Sequence, residues 1–377
     1  MDVLLLIIGL CIPSILLSWV LPEKWQLFPI VITTAIFIGY SSPISLAILT
    51  VSCIINYYTL KLLPSISIAT LIVVVQLCLV FLFFKLEYQI YFNISESIVL
   101  PMGLSYYSFR QIHYAIEAYK KQLPSHTIID YLNYLFFLPT ILIGPINRFQ
   151  PFLKDYNKRR WNSALFSMGL ERILYGLVKI SFIGNFLINN RLNNFIETLS
   201  DDYIWIATYL KVFKFSANAY IQFAGYSDVA IGISLLFGFK IIENFNAPFL
   251  ASNIADFWKR WHISLSQWCK DYIFFPFLSI TRNAKLSIII TMITLGLWHE
   301  ISIRYILWAL LHALAINIWY KYENTAFQKK LNLVPLFKKG LGIFITGHFV
   351  MFSFVFVSEN TLLKSIQVFK NLLMLNN

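Results

Sequence analysis

The sequence predicts an all-α integral membrane protein with about ten to twelve helices, some of them short and interfacial. Hydrophobic residues make up 58% of the 377 residues and charged residues only 13%. A soluble domain has roughly 45–50% apolar and about 25% charged residues. The mean hydropathy is +0.67. The apolar residues also fall in blocks that approach the roughly 20 residues a helix needs to cross a bilayer.

Apolar blocks along the whole chain are candidate membrane-spanning helices. Several are shorter than a full span, so we expect some helices to be tilted, broken or buried inside the bundle. No basic segment precedes the first block and no small-residue cleavage site follows it, which predicts a retained helix rather than a signal peptide. The blocks are Val3–Val20, Phe28–Tyr40, Ile44–Leu60, Ile66–Phe84, Val99–Tyr119, Tyr131–Ile146, Leu165–Ile188, Ile204–Ala224, Val229–Phe239, Leu286–Trp298, Ile303–Tyr320 and Leu341–Val357.

Positive charges lie between the apolar blocks. The net charge is +12, and the loops that carry lysine and arginine are expected on the cytoplasmic side by the positive-inside rule. The acidic pair Asp201-Asp202 is expected on the other side. Because the basic residues are spread over many short loops, they argue against nucleic-acid binding. The basic clusters are Lys120-Lys121, Lys158-Arg159-Arg160, Lys259-Arg260, Lys329-Lys330 and Lys338-Lys339.

Several functional classes lack their sequence motifs. The chain has no Walker A loop, no G-x-S-x-G elbow, no HExxH pair and no glycine-rich dinucleotide turn. It has no repeat or matched pair of broken helices of the kind that favours a secondary transporter. Its four cysteines stand singly, and neither they nor the six histidines show metal-ligand spacing. We therefore predict no metal site.

A basic and aromatic segment surrounds His262. Asn253 is a predicted helix N-cap, and Asp256 and Arg260 are spaced for an ion pair on one helix face. We expect one helix to run from there to Lys270 along the cytoplasmic interface.

A second histidine, His299, ends the apolar block Leu286–Trp298. Gly296 would let a neighbouring backbone approach closely there. A histidine at membrane depth is costly and usually functional, and imidazole can accept a proton from a hydroxyl near neutral pH. Two such histidines beside tryptophans predict a reaction site, with a structural hydrogen-bonding role as the alternative for either one.

A series of short sequence blocks follows a fixed order along the chain. They are Pro101–Phe109, Phe136–Phe149, Ala224–Ser234, Glu243–Phe249, Asp256–Ser266 and Gly296–His299. Together these blocks, over about residues 95–320, resemble the signature blocks of the membrane-bound O-acyltransferase (MBOAT) family. The likeness is greatest to its bacterial branch of alginate O-acetylation and teichoic-acid D-alanyl transfer proteins. One departure is Glu300, which follows His299 where the family often has glycine.

The resemblance implies a single membrane domain over residues 1–377, in the bacterial cytoplasmic membrane, with helices around a central funnel or tunnel. It implies that a small acyl group passes from a cytoplasmic thioester, acyl-CoA or an acidic acylated carrier protein, to a hydroxyl of a cell-surface glycan or to an extracytoplasmic partner transferase. His299 matches the family's catalytic histidine and His262 its second motif histidine. Membrane lipid is the other expected partner, and no cofactor is expected to be bound.

Further residues are candidates for the substrate path or the donor site. Asp228 is equally a candidate for a helix-packing carboxylate, and Glu300 could raise the pKa of His299 or face a lumen. Glu171 and Arg172 are predicted to form a buried ion pair. The candidates are Asp228, Trp258, Lys259, Arg260, Trp261, Ser266, Trp298, Glu300 and Arg148, and the last is expected in a basic rim with Lys158-Arg159-Arg160 and the Trp258–Lys270 helix.

The identity of the acyl group stays open between two alternatives. The segments around Tyr226–Gly232 and His262–Ser266 favour acetyl, whereas Phe137–Thr140 and Gly144–Arg148 resemble the D-alanyl transfer proteins. A D-alanyl ammonium would need a carboxylate in its path, and Asp228 and Glu300 are the candidates near the motifs. A flippase for a lipid-linked sugar and a non-enzymatic membrane scaffold are more distant alternatives.

Overall fold

The computed structural model describes residues 2–91, 102–141, 144–199, 203–323, 325 and 335–375. These residues form helices, turns and loops with no strand among them, which confirms the all-α class. The predictions for Val99–Pro101, Asp201-Asp202 and Lys329-Lys330 lie outside the described residues.

Five of the described helices are long and apolar enough to cross a membrane, which confirms a multi-pass membrane protein. Leu4–Val20 and Ala284–His299 are apolar but shorter. Each of these helices corresponds to a predicted block. The five are Pro43–Leu62, Ile66–Leu86, Ser163–Leu199, Ile303–Glu323 and Pro335–Ser358.

The chain forms two compact units. Unit 1 comprises Met1–Leu177 and Tyr226–Ile242, and unit 2 comprises Val178–Gly225 and Glu243–Asn377. The first helices of unit 1 are α1 Asp2–Val20, α2 Phe28–Ser41, α3 Pro43–Leu62, α4 Ile66–Tyr91, α5 Leu104–Tyr119, α6 Ile128–Leu135, α7 Phe149–Asn157 and α8 Ser163–Leu177. The elements that follow are π-helical Val178–Leu192, α9 Asn193–Leu199, α10 Ile204–Leu236, which supplies residues to both units, α11 Ile254–Arg260, α12 Ile263–Cys269, π-helical Lys270–Phe274, α13 Phe275–Thr281, α14 Ala284–His299, α15 Ile303–Glu323, α16 Pro335–Ser353, α17 Val355–Ser358 and α18 Leu362–Leu372.

Helices α8 and the end of α10 cross closely in unit 1. A Cβ atom on Gly169 would lie 2.8 Å from the carbonyl oxygen of Gly232, and one on Gly232 would lie 2.7 Å from that of Gly169. Beside this crossing, the Arg172 Nε donates to Asp228 Oδ1 at 2.7 Å. Glu171 instead is exposed and accepts from the Tyr175 hydroxyl, so the predicted Glu171–Arg172 ion pair is wrong. The Arg172–Asp228 ion pair links α8 to α10, because the arginine side chain is long enough to reach the carboxylate across the glycine contact.

Three predicted apolar blocks have structures that differ from the prediction. Tyr131–Ile146 is not one helix: α6 ends at Leu135 and a single 3₁₀ turn, Leu138–Thr140, follows it. Pro139 is the middle residue of that turn, and proline cannot continue an α-helix through its interior. The blocks Ile204–Ala224 and Val229–Phe239 were predicted as separate helices, but they join in one 33-residue helix, α10. The polar residues between them do not interrupt it because Asp228 is paired.

Arg159 binds within unit 1, so it is not the exposed rim residue that was predicted. Its guanidinium donates to the carbonyl oxygens of Phe237 (2.6 Å) and Ser18 (3.0 Å) and to the Gln26 side chain (2.6 Å). It also lies 3.7 Å from the Trp19 ring centroid, at cation–π distance. Its neighbours Lys158 and Arg160 are exposed.

Helices α14 and α15 pack against each other in unit 2. A Cβ atom on Gly296 would lie 2.6 Å from the carbonyl oxygen of Tyr305, which confirms the close backbone approach predicted for this glycine. The contact fixes the last turn of α14, where His299 lies.

Candidate active site

The segment around His262 is two short helices rather than the single predicted helix. Asn253 caps α11 as predicted, since its Oδ1 accepts from the Asp256 N–H at 2.8 Å. The predicted Asp256–Arg260 ion pair is also confirmed, at 3.0 Å. The helix then ends at Arg260, and His262 has a left-handed backbone with φ of 44° before α12 begins. A left-handed conformation is unfavourable for a residue other than glycine, so the surroundings must hold it.

The surroundings that hold this break come from residues 244–246. The Asn246 N–H donates to the Arg260 carbonyl oxygen at 3.0 Å, and the Ile263 N–H donates to the Asn244 carbonyl oxygen at 2.9 Å. The Asn244 side chain accepts from the Ser264 hydroxyl at 2.7 Å. These contacts satisfy polar groups that the interrupted helix leaves without partners, and thereby fix the direction of the His262 side chain.

His262 is enclosed by aromatic rings in unit 2. Its side chain is 4% exposed, the Phe223 ring meets it edge-on with 4.8 Å between centroids, and the Trp298 ring lies at 6.5 Å. Its Nε2 has no hydrogen-bond partner among the described residues. Burial, and to a smaller extent the nearby charge of His299, lower the pKa of His262 to about 3. The ring is therefore neutral at physiological pH.

His299 lies at the end of α14 among aromatic side chains. Its ring centroid is 4.5 Å from that of Trp298, 5.8 Å from the stacked Tyr305 ring and 5.9 Å from the edge-on Trp308 ring. The following Glu300 accepts from the Arg304 guanidinium at 2.7 Å. That arginine neutralises the carboxylate that stands in place of the family's glycine.

A third histidine, His312, belongs to the same region and was not predicted. The Trp258 indole N–H donates to His312 Nδ1 at 3.3 Å, and His312 Nε2 lies 2.9 Å from the Ser353 hydroxyl. Because Nδ1 accepts, Nε2 carries the proton and donates to Ser353. The Trp308–His312 spacing of one helical turn was the available sequence signal, since it places a second tryptophan–histidine pair on one face of α15.

A cavity of about 430 Å³ opens beside this region in unit 2. Trp258 and Lys259 of α11, Ser266 of α12, Lys270, and Met292 and Leu295 of α14 line it, together with further residues of these elements and of α15. The Ser266 hydroxyl donates to the Trp261 carbonyl oxygen at 3.1 Å. The wall is mainly apolar, with the two lysines as its charged members, so the cavity suits a slender amphipathic ligand that carries negative charge.

The structure brings seven of the predicted site residues into the region of unit 2 just described. They are Trp258, Lys259, Trp261, His262, Ser266, Trp298 and His299. Arg260 and Glu300 are engaged in ion pairs on the same elements. Asp228 and Arg148 belong to unit 1, where Asp228 pairs with Arg172 and Arg148 precedes α7. Among the residues that the structure describes, no three His, Cys, Asp or Glu side chains group as metal ligands.

Several bacterial proteins are similar to this chain. The probable alginate O-acetylase AlgI of Pseudomonas aeruginosa is 33% identical over 240 residues, which cover 62% of this chain and 45% of that protein. The teichoic acid D-alanyltransferase of Bacillus subtilis is 32% identical over 283 residues, 70% of each chain. The peptidoglycan O-acetyltransferase of Helicobacter pylori is 30% identical over 315 residues, 74% of this chain and 58% of that protein.

The chain spans less than half of the length of the alginate O-acetylases it matches. The family model, in contrast, matches residues 24–363, which include both histidine segments and helices of both units. That match covers most of the chain, and the resemblance of the signature blocks agrees with it. The chain therefore belongs to the membrane-bound O-acyltransferase (MBOAT) family.

Proposed function

We propose that this protein is an acyltransferase of the bacterial cytoplasmic membrane. It moves a small acyl group from a thioester donor on the cytoplasmic side to a hydroxyl of a cell-surface polysaccharide, or to a partner transferase. The observation that carries this proposal is the pair of histidines in unit 2: both adjoin Trp298, whose ring centroid is 6.5 Å from that of His262 and 4.5 Å from that of His299.

In the proposed reaction His299 is the general base. It removes the proton from the acceptor hydroxyl while the hydroxyl oxygen attacks the carbonyl carbon of the thioester. The carbon–sulfur bond then breaks, and the leaving thiolate takes the proton back from the imidazolium. The new oxygen ester and the free thiol balance the step, and no metal or redox cofactor is required.

His262 is proposed to position the acceptor or the acyl carbonyl by a hydrogen bond. Three features support this role: the ring is neutral, its Nε2 has no partner among the described residues, and its left-handed backbone is held by Asn244. A neutral imidazole next to the base also avoids repulsion when His299 becomes positively charged.

The cavity beside α11 and α12 is proposed to receive the donor. A thioester arm is slender and largely apolar, which suits the wall formed by Trp258, Met292 and Leu295. Lys259 and Lys270 supply positive charge for donor phosphates or for an acidic carrier protein. Arg260 is a weaker candidate for this contact because Asp256 already neutralises it.

Acetyl is the proposed acyl group, with D-alanyl as the alternative. A D-alanyl group carries an ammonium, which needs a carboxylate or several oxygens when it leaves water. Both candidate carboxylates already have arginine partners: Asp228 pairs with Arg172, and Glu300 pairs with Arg304. This pairing favours a neutral acyl group.

The test compares surface glycans from cells that lack the protein with glycans from cells complemented by wild type, His299→Ala or His348→Ala. His348 is the matched control because its ring is bound to Tyr209 and to a backbone carbonyl, away from His299 in sequence. We expect mass spectrometry to show acetyl esters with wild type and His348→Ala. With His299→Ala the esters should fall by about 10²–10⁴-fold, the usual contribution of a general base.

Equal acetylation by a normally accumulated His299→Ala variant would contradict the assignment of the base. Loss of alkali-labile D-alanine instead of acetyl would overturn the choice of acyl group and leave acyl transfer in place. A reduced amount of surface glycan with unchanged acylation in cells without the protein, and a lipid-linked sugar retained on the cytoplasmic side, would favour the flippase.

A further inference from the structure

The core of unit 1 contains a buried cation, the guanidinium of Arg110. This residue lies on α5, and its side chain is fully buried. Its Cζ lies 4.3 Å from the centroid of the Tyr134 ring, so the ring face covers one side of the guanidinium. Arginine stays protonated in proteins, so the positive charge is present whatever surrounds it.

The guanidinium lacks a counter-charge in the part of the chain that the structure describes. The guanidinium is in polar contact with Tyr134, but by distance and angle none of its three nitrogens makes a full hydrogen bond there. The ionisable groups that interact with it are Cys53, Tyr131 and Tyr134, which are ordinarily neutral near pH 7. Leaving a charge buried without a partner costs several kcal/mol. An added negative charge beside the guanidinium would offset this cost.

The polar atoms near Arg110 are mostly donors. Tyr107 lies one helical turn before Arg110, and its hydroxyl and that of Tyr131 are buried without partners among the described residues. The Asn147 Nδ2 is also buried without a partner there. The backbone carbonyl oxygen of Asn147 accepts from the Tyr134 hydroxyl at 2.7 Å. Guanidinium and amide nitrogens only donate, and hydroxyls can donate. A ligand at this position must therefore accept several hydrogen bonds.

The ligand must be small because the residues around it are buried. Tyr107, Arg110 and Tyr131 are each 0% exposed, and Asn147 is 5% exposed. An organic carboxylate or a phosphate ester would need an opening for the rest of its molecule. Water could accept hydrogen bonds but would supply no charge.

We propose that Arg110, Tyr107 and Tyr131 bind a small inorganic anion, chloride in the cell, in the core of unit 1. The anion neutralises the guanidinium and accepts hydrogen bonds from the two hydroxyls. It stabilises the packing of α5 against α3 and α4. This site is independent of the proposed acyl transfer and takes no part in it.

The experiment uses the full chain purified in detergent. Its thermal unfolding midpoint is measured in sodium chloride, sodium bromide and sodium gluconate at equal ionic strength. We expect a saturable rise of several degrees with chloride or bromide and none with gluconate, because a ligand that binds only the folded state stabilises it by mass action. Arg110→Met should remove this dependence. Arg191→Met, which changes an exposed arginine, should keep it.

A second measurement does not depend on whether Arg110→Met folds. Wild-type crystals grown in bromide should show an anomalous-scattering peak within hydrogen-bond distance of the Arg110 guanidinium. An unfolding midpoint that is the same in halide and gluconate would overturn the proposal. So would an equal halide effect in wild type and Arg110→Met, or a bromide crystal with no anomalous peak at Arg110.

Discussion

His262 and His312 are both buried histidines of unit 2, but they use their ring nitrogens differently. His312 lies inside α15 with regular helical backbone, and both of its nitrogens are hydrogen-bonded, to Trp258 and to Ser353. His262 lies at a break between two helices with a left-handed backbone, and its Nε2 has no partner among the described residues. Burial alone therefore does not distinguish a structural histidine from a functional one.

The difference is informative because both arrangements have a cost. A satisfied histidine contributes hydrogen bonds to the fold, whereas a buried nitrogen without a partner and a left-handed non-glycine residue both reduce stability. The protein keeps the costly arrangement at His262 and supports it with the Asn244 contacts. We interpret this loss of stability as a sign that substrate completes the hydrogen bonding of His262. The hydrogen bonding of His312 is complete without substrate.

The largest expected effect that separates the two histidines is on activity. His262→Gln should lower the rate of acyl transfer about 10²-fold, the size found when one donor to a developing charge is removed. Its unfolding midpoint should change little because the replaced nitrogen has no partner. His262→Gln and wild type are compared by initial rates with a purified thioester donor and by thermal unfolding in detergent. A wild-type rate would remove the functional distinction between His262 and His312.

The second effect is on stability, where we expect the substitution of His312 to matter more than that of His262. His312→Ala should lower the free energy of unfolding by about 2–4 kcal/mol, because it leaves a cavity and removes the partner of the partly buried Trp258 indole N–H. Ser353→Ala removes only one of the two hydrogen bonds and should cost about 1 kcal/mol. Chemical denaturation in detergent measures both. A His312→Ala variant as stable as wild type would mean that the Trp258–His312–Ser353 chain does not support the fold.

The third effect, which vanishes near neutral pH, is the pH dependence of stability that His262 contributes. Its pKa is about 3 in the folded protein, below the ordinary value near 6.5, so between these values only the unfolded chain binds the proton. The stabilising contribution is complete above about pH 6.5 and is lost as the pH falls, by up to about 1.4 kcal/mol per pH unit. His113 in unit 1 should act in the same direction, since burial and the charge of Arg148 lower its pKa to about 3.

The pH prediction is checked by measuring the free energy of unfolding of wild type and His262→Gln between about pH 4 and 6. The slope of stability against pH should be shallower in the variant. His113→Gln serves as a parallel variant with the same expected change and no expected change in acyl transfer rate. Identical slopes in all three proteins would show that His262 is not held neutral by the fold.

Much of the fold could be predicted from the sequence because its signals are local. An apolar block prefers lipid wherever it lies in the chain, so the blocks that became the long helices could be recognised one at a time. The Asn253 cap and the Asp256–Arg260 ion pair were predictable for the same reason, since each joins residues three or four positions apart. The blocks Tyr131–Ile146, Ile204–Ala224 and Val229–Phe239 were harder, because the first contains a proline that an α-helix cannot pass, and the aspartate between the other two is paired and lets the helix continue.

The sequence by itself determined the membrane class, most of the helices and, through its ordered blocks, the family and the two histidines. The tertiary structure alone decided how those histidines are presented. The break at His262 depends on the backbone hydrogen bonds of Ile263 to Asn244 and of Asn246 to Arg260, which join residues 14 or more positions apart. The pairing of Arg172 with Asp228 and of Trp258 with His312 joins residues more than 50 positions apart. Contacts of this kind leave no periodic pattern in the chain, because they arise only when separate helices pack together.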